Sequence, residues 1–227
     1  MLLEICCNGL DSALAAQKAG ADRIELCVDL NIGGITPSRG LIESVTREVD
    51  LPIYVLIRPR GGNFVYNADE FDNMIDDIHF CKSIGVKGVV SGVLYEDFRV
   101  DIRRTMLLIN AAHPIDFTFH RAFDEVSDPV SALKELEDIG VSRILSSGQE
   151  RSAIEGLPLL QKLQKSVSSV ILLPGAGVNS SNIMSFKNAG FLEAHTSASK
   201  TVIVDGIKLG TVSDVNEISA LLKLMRG

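Results

Sequence analysis

Two short runs, Glu4-Ile5-Cys6 and Glu25-Leu26-Cys27, repeat one arrangement: a carboxylate and a thiol two positions apart among apolar residues. Side chains at i and i+2 of a strand share a face, so each run sends its acid and thiol one way and its apolar neighbours the other. Carboxylates move protons and thiolates hold soft metal ions, so a cavity lined by both has two chemistries open to it. Cys7 is off that parity and faces the other side.

Further runs carry groups of the same kind. In Thr118-Phe119-His120-Arg121-Ala122-Phe123-Asp124, alternation turns Thr118 and His120 to one face and leaves Arg121 and Asp124 in the following loop. His120 could act as acid or base near neutral pH, ligate a metal, or sit as a hydrogen-bonded core histidine. His195 adds a second imidazole at another strand end. Ile57-Arg58-Pro59-Arg60-Gly61-Gly62-Asn63-Phe64 sets two arginines around a stiff proline, ahead of glycines that let backbone approach a ligand. That pattern suits a carboxylate or phosphate; equally, Arg58 could neutralise Glu25 or Glu4 while Arg60 is solvated. Leu173-Pro174-Gly175-Ala176-Gly177, with Ser147 and Ser197 at other strand ends, offers backbone N–H groups and hydroxyls for an anion.

These groups need a scaffold that brings strand ends together. Short β-branched runs alternate with segments of helical period along the whole chain, without a linker. Predicted strands are Leu3–Cys7, Arg23–Cys27, Ile53–Arg58, Gly88–Gly92, Asp116–His120, Arg143–Ser147, Val170–Pro174 and Glu193–Ser197. Predicted helices are Ser12–Ala19, Leu41–Val49, Ala68–Ile84, Ile102–Ala112, Pro129–Ile139, Ala153–Lys165, Asn182–Ala189 and Val215–Met225. Gly20, Gly85, Gly140 and Gly190 each close a helix before a strand, as a left-handed helix stop would. About eight βα units in one domain, residues 1–227, predict a TIM barrel, with an open doubly wound sheet as the alternative. In the barrel, all the runs above open on the carboxyl-end mouth.

The chain has 227 residues, 46% of them hydrophobic, and a net charge of −7. That is enough for one large core, and it disfavours general binding to nucleic acid or to an anionic membrane. An acidic Met1-Leu2-Leu3-Glu4 start and the lack of a long apolar run are unlike a signal peptide or membrane span, so a cytoplasmic location is expected. Four cysteines without CxxC spacing are expected to be free thiols. With aromatics at 5% and no Trp, nothing in the composition favours a pure interaction module.

Glu4-Ile5-Cys6-Cys7, Gly20-Ala21-Asp22-Arg23-Ile24-Glu25-Leu26-Cys27, Gly33-Gly34-Ile35-Thr36-Pro37-Ser38, Ile57-Arg58-Pro59-Arg60-Gly61-Gly62, Thr118 to Asp124 and Gly175-Ala176-Gly177 together resemble the CutC copper-homeostasis family, in order and spacing, over nearly the whole chain. The resemblance implies a TIM barrel, a cytoplasmic protein, a homodimer or higher homo-oligomer, and Cu(I) binding with Cys6 and Cys27 as the copper ligands. The chain departs from the family pattern in being shorter between Ala198 and the final helix.

Two functional expectations follow. One is a copper-homeostasis protein binding Cu(I) through Cys6 and Cys27, since soft Cu(I) favours thiolate. The other is a barrel enzyme for a small anionic, possibly phosphorylated, substrate. There His120 and Glu25 would be the acid–base pair, Arg58 and Arg60 the anion clamp, and Ser147, Gly175, Gly177 and Ser197 further anion contacts.

Overall fold

The computed structural model describes residues 1–167 and 169–227. Among them, eight parallel strands form one sheet: β1 (Leu2–Cys7), β2 (Arg23–Leu26), β3 (Ile53–Leu56), β4 (Gly88–Ser91), β5 (Asp116–Phe119), β6 (Arg143–Ser146), β7 (Ile171–Pro174) and β8 (Glu193–Thr196). Their order is β7-β6-β5-β4-β3-β2-β1-β8, with β7 and β8 side by side at the closing seam but joined by no ladder. Between them run α1 (Leu10–Ala19), α2 (Arg39–Glu48), α3 (Ala68–Ser83), α4 (Ile102–Ala112), α5 (Pro129–Asp138), α6 (Leu157–Gln164) and α7 (Ile183–Asn188), and α8 (Val215–Arg226) ends the chain. This is a TIM barrel, as the alternation predicts.

Period-2 patterning separates two layers. Leu3, Ile5, Ile24, Leu26, Val55, Val89, Phe117, Phe119, Ile144 and Leu172 point outward into the layer beneath the helices. Each such fully buried side chain contributes about 1.5–3 kcal/mol of transfer free energy. The opposite parity faces the lumen, where Cys6, Cys27, Tyr54, Leu56 and Val90 form a small separate apolar cluster. Gly20, Gly85, Gly140 and Gly190 have φ of 84° or 85°, the left-handed stop expected of a tight helix-to-strand turn.

The structure corrects several boundaries. α6 begins at Leu157 rather than Ala153, because residues 151–156 are turns and bends that pack Gly156 against Gly148 and the Ser147 carbonyl. α1 and α2 each start two residues earlier than predicted. After β8 the chain does not go straight to a helix: an antiparallel hairpin, β9 (Ser199–Val204) and β10 (Ile207–Ser213), intervenes and exposes Ile203, Ile207 and Leu209. No helix among the described residues is long and apolar enough to cross a membrane.

Candidate functional site: acids, thiols and imidazoles in the barrel mouth

Strand register assembles the site. β1 pairs with β2 so that Glu4 lies opposite Arg23 and Cys6 opposite Glu25, and β1 pairs with β8 so that Glu4 lies opposite His195. All five are buried on the lumen side. Cys6 Sγ lies 3.5 Å from Cys27 Sγ and donates to Glu25 Oε1 at 3.7 Å. The hydrogen bond with Cys27, burial, and the charges of Cys27 and Glu25 all push the Cys6 thiol well above its ordinary pKa. Cys7, in the helix-facing core, donates to the Ile5 carbonyl at 3.4 Å and takes no part.

One layer below Cys6, Glu4 and His195 join Glu25, and the three groups are tuned apart. Burial alone would raise Glu4, but a hydrogen bond with His195 and the charges of Arg23 and His195 outweigh it and lower its pKa to about 2. His195 Nδ1 is 2.7 Å from Glu4 Oε1, and although burial opposes its charged form, the charges of Glu25 and Glu4 raise its pKa. Glu25 is pushed up to about 7, chiefly by burial and then by the Glu4 charge, against the opposing pull of His195. Its second oxygen, Oε2, is buried with no hydrogen-bond partner among the described residues.

Beneath this cluster, ion pairs cross the lumen. Arg23 bonds to both Glu4 and Glu193; Arg143 bonds to Glu193 at 3.1 Å and to Asp116 at 3.0 Å; Asp116 accepts from the Tyr54 hydroxyl. The Tyr54 ring fits because Gly88 carries no side chain: an added Cβ would lie 2.3 Å from it. These groups hold one another against the desolvation cost of a barrel interior. Arg23, Asp116, Arg143 and Glu193 were missed as a network in the sequence, though their inward parity on predicted strands was the signal that could have found them.

His120, at the end of β5, is a different kind of imidazole. Its Nδ1 accepts the Ala122 N–H at 3.2 Å, and its ring rests over Gly92, where an added Cβ would lie 2.7 Å from Nδ1. A neutral ring in that pose carries its proton on Nε2, which has no partner among the described residues. Burial and the charge of Arg58 lower its pKa to about 3.

The arginines depart from expectation. Arg58 does not pair with Glu25 or Glu4; its guanidinium donates to the carbonyls of Ile32 and Gly34 at 2.9 Å and of Gly62 at 2.7 Å, and stacks on Phe64. It ties the loop after β2 to the loop after β3, and among the described residues its Nε meets no hydrogen-bond acceptor. Arg60, partly exposed, forms an ion pair with Glu70 at 2.6 Å, at the start of α3, and does not line the cavity. Ser147 is buried with its hydroxyl bonded to Asp124 and the Glu150 carbonyl, while Gly175 lies under Leu145 and His195; neither lines the cavity. Gly177 and Ser197 do, with Cys6, Glu25, Arg58, His120 and His195, around about 970 Å³ open at the carboxyl ends of the strands.

Two donor sets there are compact enough for an ion. The ligand atoms of Cys6, Glu25 and Cys27 lie within 4.8 Å of one another, and so do those of Glu4, Glu25 and His195.

Residues 1–200 match the model of the CutC family. The chain belongs to that family. The family protein CutC of Salmonella schwarzengrund (strain CVM19633) is 46% identical over 197 residues, 87% of this chain and 79% of the relative. The one from Erwinia tasmaniensis is 42% identical over 223 residues, 96% and 89%. Among solved structures, a Streptococcus agalactiae chain described as a copper homeostasis protein CutC superposes with a TM-score of 0.82 at 31% identity, covering 87% of this chain and 98% of that one. The 3-hexulose-6-phosphate synthase of Salmonella typhimurium, at 14% identity and a TM-score of 0.69 over 99% of this chain and 98% of that one, shares the fold.

Proposed function

We propose that this CutC-family chain handles copper, carrying Cu(I) as cargo on Cys6 and Cys27 in the cytoplasm. The observation that carries the reading is the pair of thiols on adjacent strands with sulfurs 3.5 Å apart, one of them lining an open cavity. Soft sulfur donors fit Cu(I), and a low coordination number suits two ligands. The description of the S. agalactiae relative supports the same reading, and free cysteines fit a reducing compartment. Because burial and neighbours hold the Cys6 thiol in its protonated form, loading releases protons and affinity rises with pH. Anaerobic Cu(I) titration against a competing chelator tests it. Equal affinities for the unaltered chain and a Cys6→Ser/Cys27→Ser variant would sink it.

A second reading, a barrel enzyme working by acid–base chemistry on a small ligand, is favoured by Glu25 Oε2 and His120 Nε2. Both are buried and unpartnered among the described residues, on side chains that line one cavity. Arg58, Gly177 and Ser197 are the candidate contacts for an anionic group that line the cavity. Crystals soaked with phosphate and sugar phosphates test that reading, and a mouth empty of every one of them counts against it.

A further inference from the structure

We propose that the same mouth binds a divalent transition ion of Zn²⁺ type on His195 and Glu25, beside the thiol pair and independent of it. The compact set Glu4, Glu25 and His195 is buried, and Glu25 and His195 line the open cavity. A cluster of acids alone would mean little. Here the two carboxylates have different partners, and the difference points to a ligand.

Glu4 is fully engaged: one oxygen lies 2.7 Å from His195 Nδ1 and the other accepts from Arg23. A carboxylate that holds one imidazole nitrogen fixes the ring and leaves the other, Nε2, as the ligating atom; this is the outer-sphere arrangement found behind metal-bound histidines. Glu4 is therefore a positioning residue. Glu25 has the complementary character, because Oε1 takes the Cys6 S–H while Oε2 is buried without a partner among the described residues. A carboxylate oxygen left alone in a buried site is costly unless a cation or donor meets it.

Ligand chemistry narrows the ion. An imidazole nitrogen and a carboxylate oxygen suit borderline divalent ions such as Zn²⁺, whereas Cu(I) prefers the sulfurs and Mg²⁺ keeps to oxygen. Two protein ligands leave coordination positions open toward the cavity for water or a small molecule. The mouth therefore offers a soft donor pair and a nitrogen–oxygen pair that meet at Glu25. This inference goes beyond the copper reading and does not depend on it.

The test is titration of the reduced, chelator-stripped full-length chain with Zn²⁺, followed by X-ray absorption of the loaded protein. The chain and its Cys6→Ser/Cys27→Ser variant should bind Zn²⁺ with affinities within about threefold, while Glu25→Gln and His195→Asn each weaken it by about tenfold or more. The absorption spectrum should show only nitrogen and oxygen neighbours. Melting curves taken without metal identify any variant that fails to fold, and the spectrum of the unaltered chain then decides alone. Loss of Zn²⁺ binding in the double-serine variant, sulfur in the coordination shell, or unchanged affinity in folded Glu25→Gln would each overturn the proposal. The Cu(I) titration of Glu25→Gln separates the two readings, since copper held by the thiols persists there.

Discussion

Acid should weaken this fold through His120, and the size of the effect can be worked out. In the unfolded chain a histidine titrates near 6.5, whereas in the barrel burial and Arg58 lower His120 to about 3. Between those values the unfolded state binds a proton that the folded state refuses. The stability contributed by the neutral ring is therefore complete above about pH 6.5 and is lost as pH falls toward 3. One proton corresponds to about 1.36 kcal/mol per pH unit, and the unfolded ring is already half protonated at about pH 6.5, so moving from there to about pH 4.5 should cost about 2 kcal/mol, a sizeable share of the stability of an ordinary domain. His120→Asn isolates the effect, because an Asn side-chain oxygen can still accept the Ala122 N–H that His120 Nδ1 accepts but does not titrate. Urea unfolding of both proteins across this pH range should show the wild-type advantage shrinking by about 2 kcal/mol. A difference that stays constant with pH would refute the burial argument.

Other consequences are testable in the same way. Glu4→Gln removes the charge, and one of the two acceptor oxygens, that Arg23 and His195 share; it should destabilise the chain by about 3–5 kcal/mol at neutral pH in calorimetric melts. Because the Glu4 pKa is lowered to about 2, its contribution is present above its unfolded value of 4.5 and disappears as pH falls toward 2, so wild type and variant should converge in acid. Gly92→Ala would set a Cβ 2.7 Å from His120 Nδ1 and 3.0 Å from the Phe119 ring; we expect a loss of about 1–3 kcal/mol and a shifted His120 resonance by NMR. Cys7→Ser should lower the melting temperature, since it puts a hydroxyl into the helix-facing core, and leave Cu(I) affinity unchanged.

The barrel was legible because alternation survives on every strand: Glu4 and Cys6 against Leu3, Ile5 and Cys7 already separates lumen from helix layer. The inward convergence of Glu25, Cys27, His120 and His195 follows from the same parity. The hairpin at Ser199–Ser213 was hidden by the assumption of eight identical units, although Asp205-Gly206, with φ of 51° and 77°, is a strong two-residue turn signal between extended runs. The arginines could not be placed from sequence. Arg60 is claimed by Glu70 of the Asn67–Glu70 capping box, and Arg58 by carbonyls that converge only when the loops after β2 and β3 fold over each other. Long flexible side chains choose among partners that strand parity does not specify.

The ion pairs from Glu4 through Arg23, Glu193 and Arg143 to Asp116 fill the lumen below the mouth with mutually bonded charge. The barrel is therefore a cup and not a conduit. On the copper reading, an ion held at Cys6 and Cys27 enters and leaves by the same opening. Loading and release then share one route, so a molecule lodged in the mouth should slow both alike.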